Sequence, residues 1–313
     1  MGSHQFDRPG GAATAVAPDE GGPLSYRVDA AQGPVRLRYF APPGNLRRYF
    51  GALYIFNVDA PDYADVTRAD VPQLRFMLEG GGTYHFHDGT EMPTPEICLL
   101  GPTMGATRFL LDRPARVVGV SLLPAGWITF HRGDASAMAD RLCDVRKLAP
   151  GLGALLDGLR DLTDPEEMVA RTWAALNQCI APLPDATWTL LEAIDDWLMD
   201  EGSPRIDALK RSAGLSDRQI ARLTNRYYGA APKLLARKYR ALRCSARIAL
   251  DGVSWQQLCD DAGFYDQSHF IREIKHFIGL TPHQLMTEPS AVAQLTLLRR
   301  SLGSDVAVLN RLS

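Results

Sequence analysis

The sequence predicts an α+β protein of two domains: an antiparallel β sandwich or barrel followed by helices, and then an all-α domain with two helix-turn-helix motifs. Three observations predict this class. Short β-like runs bounded by Gly, Pro and Asp fill the first part of the chain, helical periodicity fills the second, and one pattern in the second part occurs twice. The length of 313 residues suits two domains of ordinary size.

The first β-like run follows a segment rich in Gly, Pro and Ala, residues 1–23, which we predict to be disordered. The runs that follow have strand-like length and composition, and their spacing predicts an antiparallel sandwich or barrel. They read VRLRYF, GALYIFNV, LRFMLEG, GTYHFH, EICLLG, TRFLL and RVVGVSLL. Asp88-Gly89, in the stretch HDGT, predicts a tight hairpin turn between two of these strands.

Beyond Pro124 the apolar residues recur at steps of three and four, which indicates helices. The helices predicted before the domain boundary cover residues 135–145, 152–162 and 166–180. The Pro-rich stretch PLPDAT, residues 182–187, marks that boundary. Helices separated by Gly- or Pro-containing turns continue to residue 287, and a tail, residues 288–313, carries one short helix over 291–300.

Composition narrows the class of protein. With 46% hydrophobic and 22% charged residues, the chain is typical of soluble globular proteins. It contains no apolar run of about 18 residues that would predict a membrane span, and no secretory signal pattern. Its five cysteines are scattered and without a C-x-x-C pair, which argues against a disulfide framework and a cysteine-rich zinc site. We therefore expect reduced thiols and a cytoplasmic location.

The charges are unevenly distributed. Residues 1–187 hold 17 Lys/Arg and 22 Asp/Glu, a net charge of −5, whereas residues 203–287 hold 14 Lys/Arg and 7 Asp/Glu, a net charge of +7. A basic segment joined to an acidic one is typical of a nucleic-acid-binding domain attached to a domain with another role.

The basic segment contains an internal duplication. Seven positions agree between residues 209–232 and 258–282, at an offset of 49 before the second helix and 50 within it. The matched pairs are Leu209 with Leu258, Ala213 with Ala262, Gly214 with Gly263, Ile220 with Phe270, Arg222 with Arg272, Gly229 with Gly279, and Pro232 with Pro282. Each copy predicts a helix, a tight Ala-Gly turn and a second helix, which is the order of a helix-turn-helix motif.

The residues between the two copies predict one continuous helix, 232–250, with Pro232 at its first turn. Such a helix would hold the two motifs rigidly apart. Two recognition helices about 34 Å apart on one face would meet successive major grooves of a DNA duplex.

Residues 188–286, which contain the duplication and the linking helix, resemble the paired helix-turn-helix domain of AraC/XylS-type transcription regulators. The resemblance is strongest in AGFYDQSHFIREIKHFIGLTPHQL, residues 262–285. It implies a DNA-binding domain over 188–287, with motifs at 206–228 and 255–278. By the order of its elements, the preceding part, 24–181, resembles the cupin-like β-barrel and following helices of the family's sensor and dimerisation domain.

The resemblance also implies the DNA-contacting residues. Base contacts are expected from Arg218, Ala221 and Arg222 in the first motif and from Gln267, Ser268 and Arg272 in the second. Arginine can pair with guanine and glutamine with adenine, which agrees with that assignment. Phosphate contacts are expected from Arg226, Lys233 and Lys275, and His269 is expected to face the protein.

The family implies double-stranded DNA, RNA polymerase and a small-molecule effector as partners, and a homodimer as the assembly. We expect neither a cofactor nor an enzymatic activity, because the sequence has no nucleophile elbow, P-loop or dinucleotide fingerprint. Aromatic side chains are candidates to line an effector pocket in the barrel: Trp127, Phe130, Phe76 and Tyr84.

The alternative is a metal-dependent cupin-type enzyme, or a metal sensor, fused to the DNA-binding domain. His85 and His87 would share one face of a strand, with Glu91 and His131 as further candidate ligands of a divalent transition metal. His131 comes two residues too late after the second motif's glycine for the cupin pattern, and Cys98 stands where that pattern has glycine. The Asp-Gly turn explains the same residues as a hairpin tip.

Overall fold

The computed structural model of the protein describes residues 14–16, 27–146, 149, 151–200, 205–261 and 263–312. Within the segment predicted to be disordered, only Thr14–Val16 is described, and it forms a strand that pairs with Arg27–Gln32. The rest of that segment lies outside the described residues, and so does Ala262 of the second Ala-Gly turn.

Two antiparallel sheets make up the N-terminal domain. The larger has the order β1-β2-β3-β4-β11-β6-β9-β12 and the smaller the order β5-β10-β7-β8. The strands of the described part of the chain are β1 (Thr14–Val16), β2 (Arg27–Gln32), β3 (Val35–Phe40), β4 (Phe50–Val58), β5 (Tyr63–Thr67), β6 (Gln73–Glu79), β7 (Gly82–His85), β8 (Glu91–Pro93), β9 (Ile97–Leu100), β10 (Thr107–Leu111), β11 (Ala115–Leu122) and β12 (Leu142–Asp144). The β-rich architecture predicted from the sequence is confirmed.

The predicted hairpin lies between β7 and β8. Gly89 has a φ of +86°, and the Phe86 amide donates a hydrogen bond to the Thr90 carbonyl at 2.9 Å. The Asp88 side chain accepts from the Thr90 amide at 2.9 Å, so the Asp-Gly pair supplies both the turn conformation and its stabilising hydrogen bond.

Strand alternation divides the N-terminal domain into two apolar layers. On β6, Arg75 and Met77 point into a cavity between the sheets, whereas Phe76 points to the opposite face and packs with the helices that follow the sheet. Of the four aromatics predicted to line a pocket, only Tyr84 does so. Phe76, Trp127 and Phe130 belong to the second layer, because their positions put them on the helix side of the larger sheet.

Helices of the described residues follow the sheets. They are α1 (Pro124–Phe130), α2 (Gly151–Arg160), α3 (Pro165–Asn177), α4 (Asp185–Met199), α5 (Ile206–Ala213), α6 (Asp217–Tyr228), α7 (Pro232–Asp251), α8 (Trp255–Asp261), α9 (Gln267–Ile278), α10 (Pro282–Thr287), α11 (Ala291–Leu297) and α12 (Val308–Leu312), with 3-10 turns at Ala135–Met138 and Leu298–Asp305. None of them is long and apolar enough to cross a membrane.

The prediction of a helix over residues 135–145 is wrong. A 3-10 turn ends at Met138, Asp140 adopts a φ of +54°, and Leu142–Asp144 pairs with β9 at the edge of the larger sheet. A left-handed residue cannot continue a right-handed helix. Leu142 is buried and Asp144 is exposed, so burial decreases along this short edge strand toward its C-terminal end.

Two helix-turn-helix pairs, α5–α6 and α8–α9, form the C-terminal domain, as predicted. Ser216 caps α6 in a capping box with Gln219, and Asp266 caps α9 by accepting from the His269 amide at 2.6 Å. The continuous helix α7 joins the pairs and shares their apolar core, which includes Leu235 on α7.

Residues beyond the DNA-binding domain return to the N-terminal domain. In α11 and the 3-10 turn after it, Val292 and Leu302 pack into the core between the sheets. Asn310 is fully buried, and its side-chain oxygen accepts from the Ala52 amide of β4 at 2.8 Å. The sequence predicts one short helix here but not this docking onto the sheets. We call residues 291–312 the C-terminal segment.

A half-buried carboxyl group joins α4 to α6. The Tyr228 hydroxyl lies 2.5 Å from Asp195 Oδ1 and 3.2 Å from the Leu191 carbonyl oxygen. Burial raises the pKa of Asp195 to about 7, from about 3.9 in an unfolded chain. When protonated, Asp195 can donate to Tyr228, which leaves the phenol proton for the Leu191 carbonyl.

We predict that Asp195→Asn stabilises the protein above pH 7 and has little effect below pH 4. Because the folded-state pKa is raised, the proton favours folding at low pH, and this contribution is lost as the pH rises through 7. An amide keeps the donor without the charge, so the gain in unfolding free energy at pH 8 should be about 1–3 kcal/mol. Urea unfolding at pH 4 and pH 8 measures this. An equal effect at both values would contradict the assignment.

Candidate nucleic-acid interface

The outer face of α6 carries the residues predicted to read bases in the first motif. Arg218 and Arg222 are exposed and Ala221 is half-buried, while Ile220 and Thr224 of the same helix are buried in the domain core. Positions 218, 221 and 222 follow the three- and four-residue spacing of one helical face. The fold therefore turns all three toward solvent.

Helix α9 presents the matching face of the second motif. Gln267, Ser268 and Arg272 are exposed, whereas Phe270 and Ile274 are fully buried. Gln267 and Ser268 lie in the first turn of α9, at the end that enters the groove in helix-turn-helix proteins. His269 packs beside Phe264 and faces the turn between the helices, in the direction expected for it.

The basic side chains predicted to contact DNA have no acidic partner among the described residues. Within the described ranges, no carboxylate lies at salt-bridge distance from the exposed basic residues Arg218, Arg222, Arg226, Lys233, Arg272 and Lys275. A cation that is not neutralised by the protein is available to a phosphate or a base edge. The six side chains thus form a cationic surface that we call the recognition face.

Arginines on the linking helix α7 behave differently. Arg237 makes a bidentate ion pair with Glu273 of α9, with N–O distances of 2.6 and 2.9 Å. The Arg240 guanidinium lies 4.2 Å from the centre of the Phe264 ring, and Arg243 donates to the Leu198 carbonyl. These arginines bind the domain together, so only part of the positive charge of residues 203–287 faces solvent.

Two loops of the N-terminal domain contact the C-terminal ends of the recognition helices. The Ala69 amide donates to the Phe277 carbonyl at 2.7 Å, and the Ala106 amide donates to the His276 carbonyl at 2.8 Å. The His276 ring nitrogen lies 3.0 Å from the Met104 carbonyl oxygen. These contacts fix α9 by its far end and leave its first turns exposed.

The glycines that end the recognition helices sit against the same loops. Gly229 and Gly279 have φ values of +87° and +86°. A methyl group at Gly229 would lie 2.3 Å from Pro102, and one at Gly279 would lie 2.5 Å from Val66. Both positions therefore require glycine for its left-handed conformation and for close packing between the domains.

Asp70 links the cavity between the sheets to α7. Its backbone carbonyl accepts from the buried Lys238 ammonium at 2.6 Å. Its carboxylate accepts from Gln73 at 2.6 Å and from Arg299 of the C-terminal segment at 3.1 Å, and all three of these side chains line the cavity. Burial lowers the pKa of Lys238 to about 8.

The four candidate metal ligands do not assemble into a site. His85 pairs with Glu91 across the hairpin at 2.9 Å, His87 lies beside Asp140 and His276, and His131 stacks on Trp127. Among the described residues there is no group of three or more His, Cys, Asp or Glu side chains that could hold a metal ion.

A family model described as a helix-turn-helix domain matches residues 209–288, about a quarter of the chain. The C-terminal domain of this chain is a helix-turn-helix domain of the AraC type. The matched range runs from α5 to the end of α10 and so includes the whole recognition face of the AraC-type domain. No curated protein sequence matches the chain.

Solved structures that align with the chain share little sequence with it, and their TM-scores are low. The apo form of ToxT from Vibrio cholerae is 14% identical and aligns with a TM-score of 0.43 over 76% of this chain and 97% of that chain. Unsaturated fatty acid-bound ToxT from the same organism is 11% identical, with a TM-score of 0.45 over 77% and 96%. Oxalate decarboxylase from B. subtilis is 11% identical, with a TM-score of 0.24 over 30% and 26%.

The sequence does not identify several residues that connect the AraC-type domain to the rest of the chain. Lys238 occupies the apolar side of α7, Asp70 lies in the connection between β5 and β6, and Arg75 lies in β6, and none of them belongs to a motif. Arg299 follows the apolar run of α11, and the apolar residues of the tail were the one signal that it docks onto another surface.

We predict that Arg237→Ala lowers the unfolding free energy by about 1–3 kcal/mol, because Glu273 is 5% exposed and would lose its counter-ion. Arg247 provides the matched control, since it is exposed on the same helix. Arg247→Ala should change stability by less than about 0.5 kcal/mol. Denaturant unfolding compares the two variants, and equal losses would show that the ion pair does not fasten α9 to α7.

Proposed function

We propose that the protein is a sequence-specific transcription regulator whose DNA binding responds to a small-molecule effector in the N-terminal domain, and that it acts in the cytoplasm. The observation that supports DNA binding is the recognition face, whose six basic side chains are not neutralised by any described carboxylate. It lies beside the exposed N-termini of α6 and α9, which belong to the two copies of the duplicated motif.

In this proposal the two helices read bases with different chemistry. Arg218 and Arg222 on α6, with Arg272 on α9, pair with guanine edges, and Gln267 pairs with adenine. Ser268 hydrogen-bonds a base edge, and Ala221 contacts a thymine methyl group. The phosphate contacts come from Arg226, Lys233 and Lys275, which lie farther along or beyond each recognition helix.

The linking helix sets the spacing between the motifs. Helix α7 has 20 residues and is therefore about 30 Å long. That length is close to one turn of B-DNA, about 34 Å, which separates successive major grooves on one side of a duplex.

The effector response would pass through Asp70. A ligand in the cavity changes the surroundings of Gln73 and Arg299, which hold the Asp70 carboxylate, and the Asp70 carbonyl holds Lys238 on α7. Since α7 lies between the two motifs, a shift there alters how they are presented. Effector and DNA must then change each other's affinity by the same factor.

A homodimer and a contact with RNA polymerase complete the proposal and rest on the family resemblance. Sedimentation of the full chain with and without its DNA site measures the assembly. A strictly monomeric species on every bound site would remove the dimer from the proposal.

We predict that Arg272→Ala and Lys275→Ala weaken DNA binding in different ways. After a bound sequence is selected from a random library, Arg272→Ala should lose about 1–3 kcal/mol of discrimination at one base position. Lys275→Ala should weaken all sequences alike and reduce the salt-dependence slope by about one. Fluorescence anisotropy across salt concentrations measures both.

The control for this pair is Arg113→Ala, an exposed arginine of the N-terminal domain, which should change neither quantity. If wild-type binding were independent of salt, a phosphate-contacting regulator would be ruled out. If the two variants behaved identically, the division between base and phosphate contacts would be wrong.

We predict that Lys238→Met loosens the contact between the domains. The methionine side chain is long enough to fill the buried site, but it cannot donate the hydrogen bond to Asp70. Because that contact between the domains is lost, the Ala69 and Ala106 amides should exchange hydrogen about tenfold faster. Lys233→Met on the same helix is exposed and should leave exchange unchanged. Hydrogen-exchange mass spectrometry measures both variants. Unchanged protection in Lys238→Met would contradict the proposed effector response through Asp70 and Lys238.

A further inference from the structure

The cavity between the sheets has an apolar part and a charged part. Its free volume is about 80 Å³. Apolar walls come from both sheets and include Leu37, Phe56, Met77, Phe109 and Leu111. Among the described residues its charged lining consists of Arg68, Asp70, Arg75 and Arg299, three cations and one anion.

Arg75 is a buried cation that has no counter-ion among the described residues. It is 7% exposed, and its guanidinium donates to the Tyr54 oxygen at 2.7 Å, to Gln73 Oε1 at 2.7 and 3.1 Å, and to the Tyr84 oxygen. All of these acceptors are neutral. In the part of the chain that the structure describes, no carboxylate lies within salt-bridge distance of it. Proteins bury charges almost always in pairs, so this arrangement is complete only with an added anion.

The one nearby carboxylate is already engaged. Asp70 accepts from the Gln73 amide, from the Val71 backbone amide at 2.7 Å and from Arg299. Gln73 stands between the two cations, because its oxygen accepts from Arg75 while its nitrogen donates to Asp70. Asp70 therefore neutralises Arg299 and leaves the charge of Arg75 uncompensated.

Arg299 still has donor capacity toward the cavity. It is 1% exposed, and its Nε has no hydrogen-bond partner among the described residues. This side chain comes from the C-terminal segment, as do Val292 and Thr296 of the lining. The segment thus supplies one wall of the cavity and one of its cations.

We propose that the cavity binds a small organic carboxylate, with the carboxylate group at Arg75 and Arg299 and the apolar part against Phe56 and Phe109. This inference rests on the proposed function in one respect, that the cavity is the effector site. Guanidinium groups bind carboxylates through two parallel hydrogen bonds, which suits the planar head of such a ligand. The limited volume and apolar walls favour a small acid over a multiply charged phosphate compound.

The test uses the full chain and three carboxylates, butanoate, hexanoate and benzoate, each beside its neutral amide. Thermal unfolding is followed at matched ionic strength. At least one carboxylate should raise the Tm while its amide does not, since a ligand that binds only the folded state stabilises it. If the amides stabilise as well as the acids, or if no carboxylate acts, the proposal is overturned.

Variants locate the site. Arg75→Met should weaken carboxylate binding at least about tenfold in calorimetric titration. It should still fold, because replacing an unpaired buried charge with an apolar side chain is not expected to destabilise. Arg75→Lys keeps the charge and should retain part of the binding. Arg36→Met, an exposed arginine on the outer side of β3, should bind like wild type. Undiminished binding by Arg75→Met would overturn the proposal.

Anisotropy with the selected DNA separates this inference from the proposed function. DNA binding without any carboxylate-specific stabilisation would refute the anion site and leave the regulator. Carboxylate binding that depends on Arg75 but leaves DNA affinity unchanged would support the site and refute its role in regulation.

Discussion

Asp70 is the residue on which the arrangement of the two domains depends. Its carboxylate holds Gln73 of the larger sheet and Arg299 of the C-terminal segment, while its backbone carbonyl holds Lys238 of α7. Three parts of the molecule that are far apart in sequence therefore meet at one amino acid. Because the partners are buried, each contact forms in a poorly hydrated environment where polar interactions are strong and their loss is costly. The cavity lining and α7 are therefore connected through a single residue.

The division of positive charge is the second organising feature. Three arginines of α7, Arg237, Arg240 and Arg243, contact a carboxylate, an aromatic ring and a backbone carbonyl, whereas the arginines at the recognition face have no acidic partner among the described residues. Net charge alone could not distinguish these two uses. The position of each arginine in the fold does distinguish them, because α7 is packed on several sides whereas α6 and α9 each keep one face exposed to solvent. The helix with the most basic residues is thus mainly structural.

The sequence predicted the DNA-binding domain well because its signals are local. A capping box at Ser216 and Gln219, glycines at the helix ends and the apolar spacing of Phe270, Ile274 and Phe277 each act within a few residues. The strands were predicted less completely: β5, β8 and β12 are short, and each is defined by its pairing with β10, β7 or β9, which the pattern of one segment does not show. A pocket in the barrel was expected, but its polar lining could not be predicted, since Gln73, Arg75 and Arg299 are brought together only by tertiary contacts.

Docking of the C-terminal segment changes how the chain must fold. Arg299 and Asn310 follow the DNA-binding domain in sequence but complete the N-terminal domain, and the hydrogen bond from Ala52 to Asn310 spans 258 residues. Contacts of such sequence separation form late, because a large loop must close first. During synthesis the sheets therefore emerge first but remain without one wall until the residues beyond the DNA-binding domain have been made. We therefore expect the folding of the two domains to be coupled, so that a mutation in either affects both.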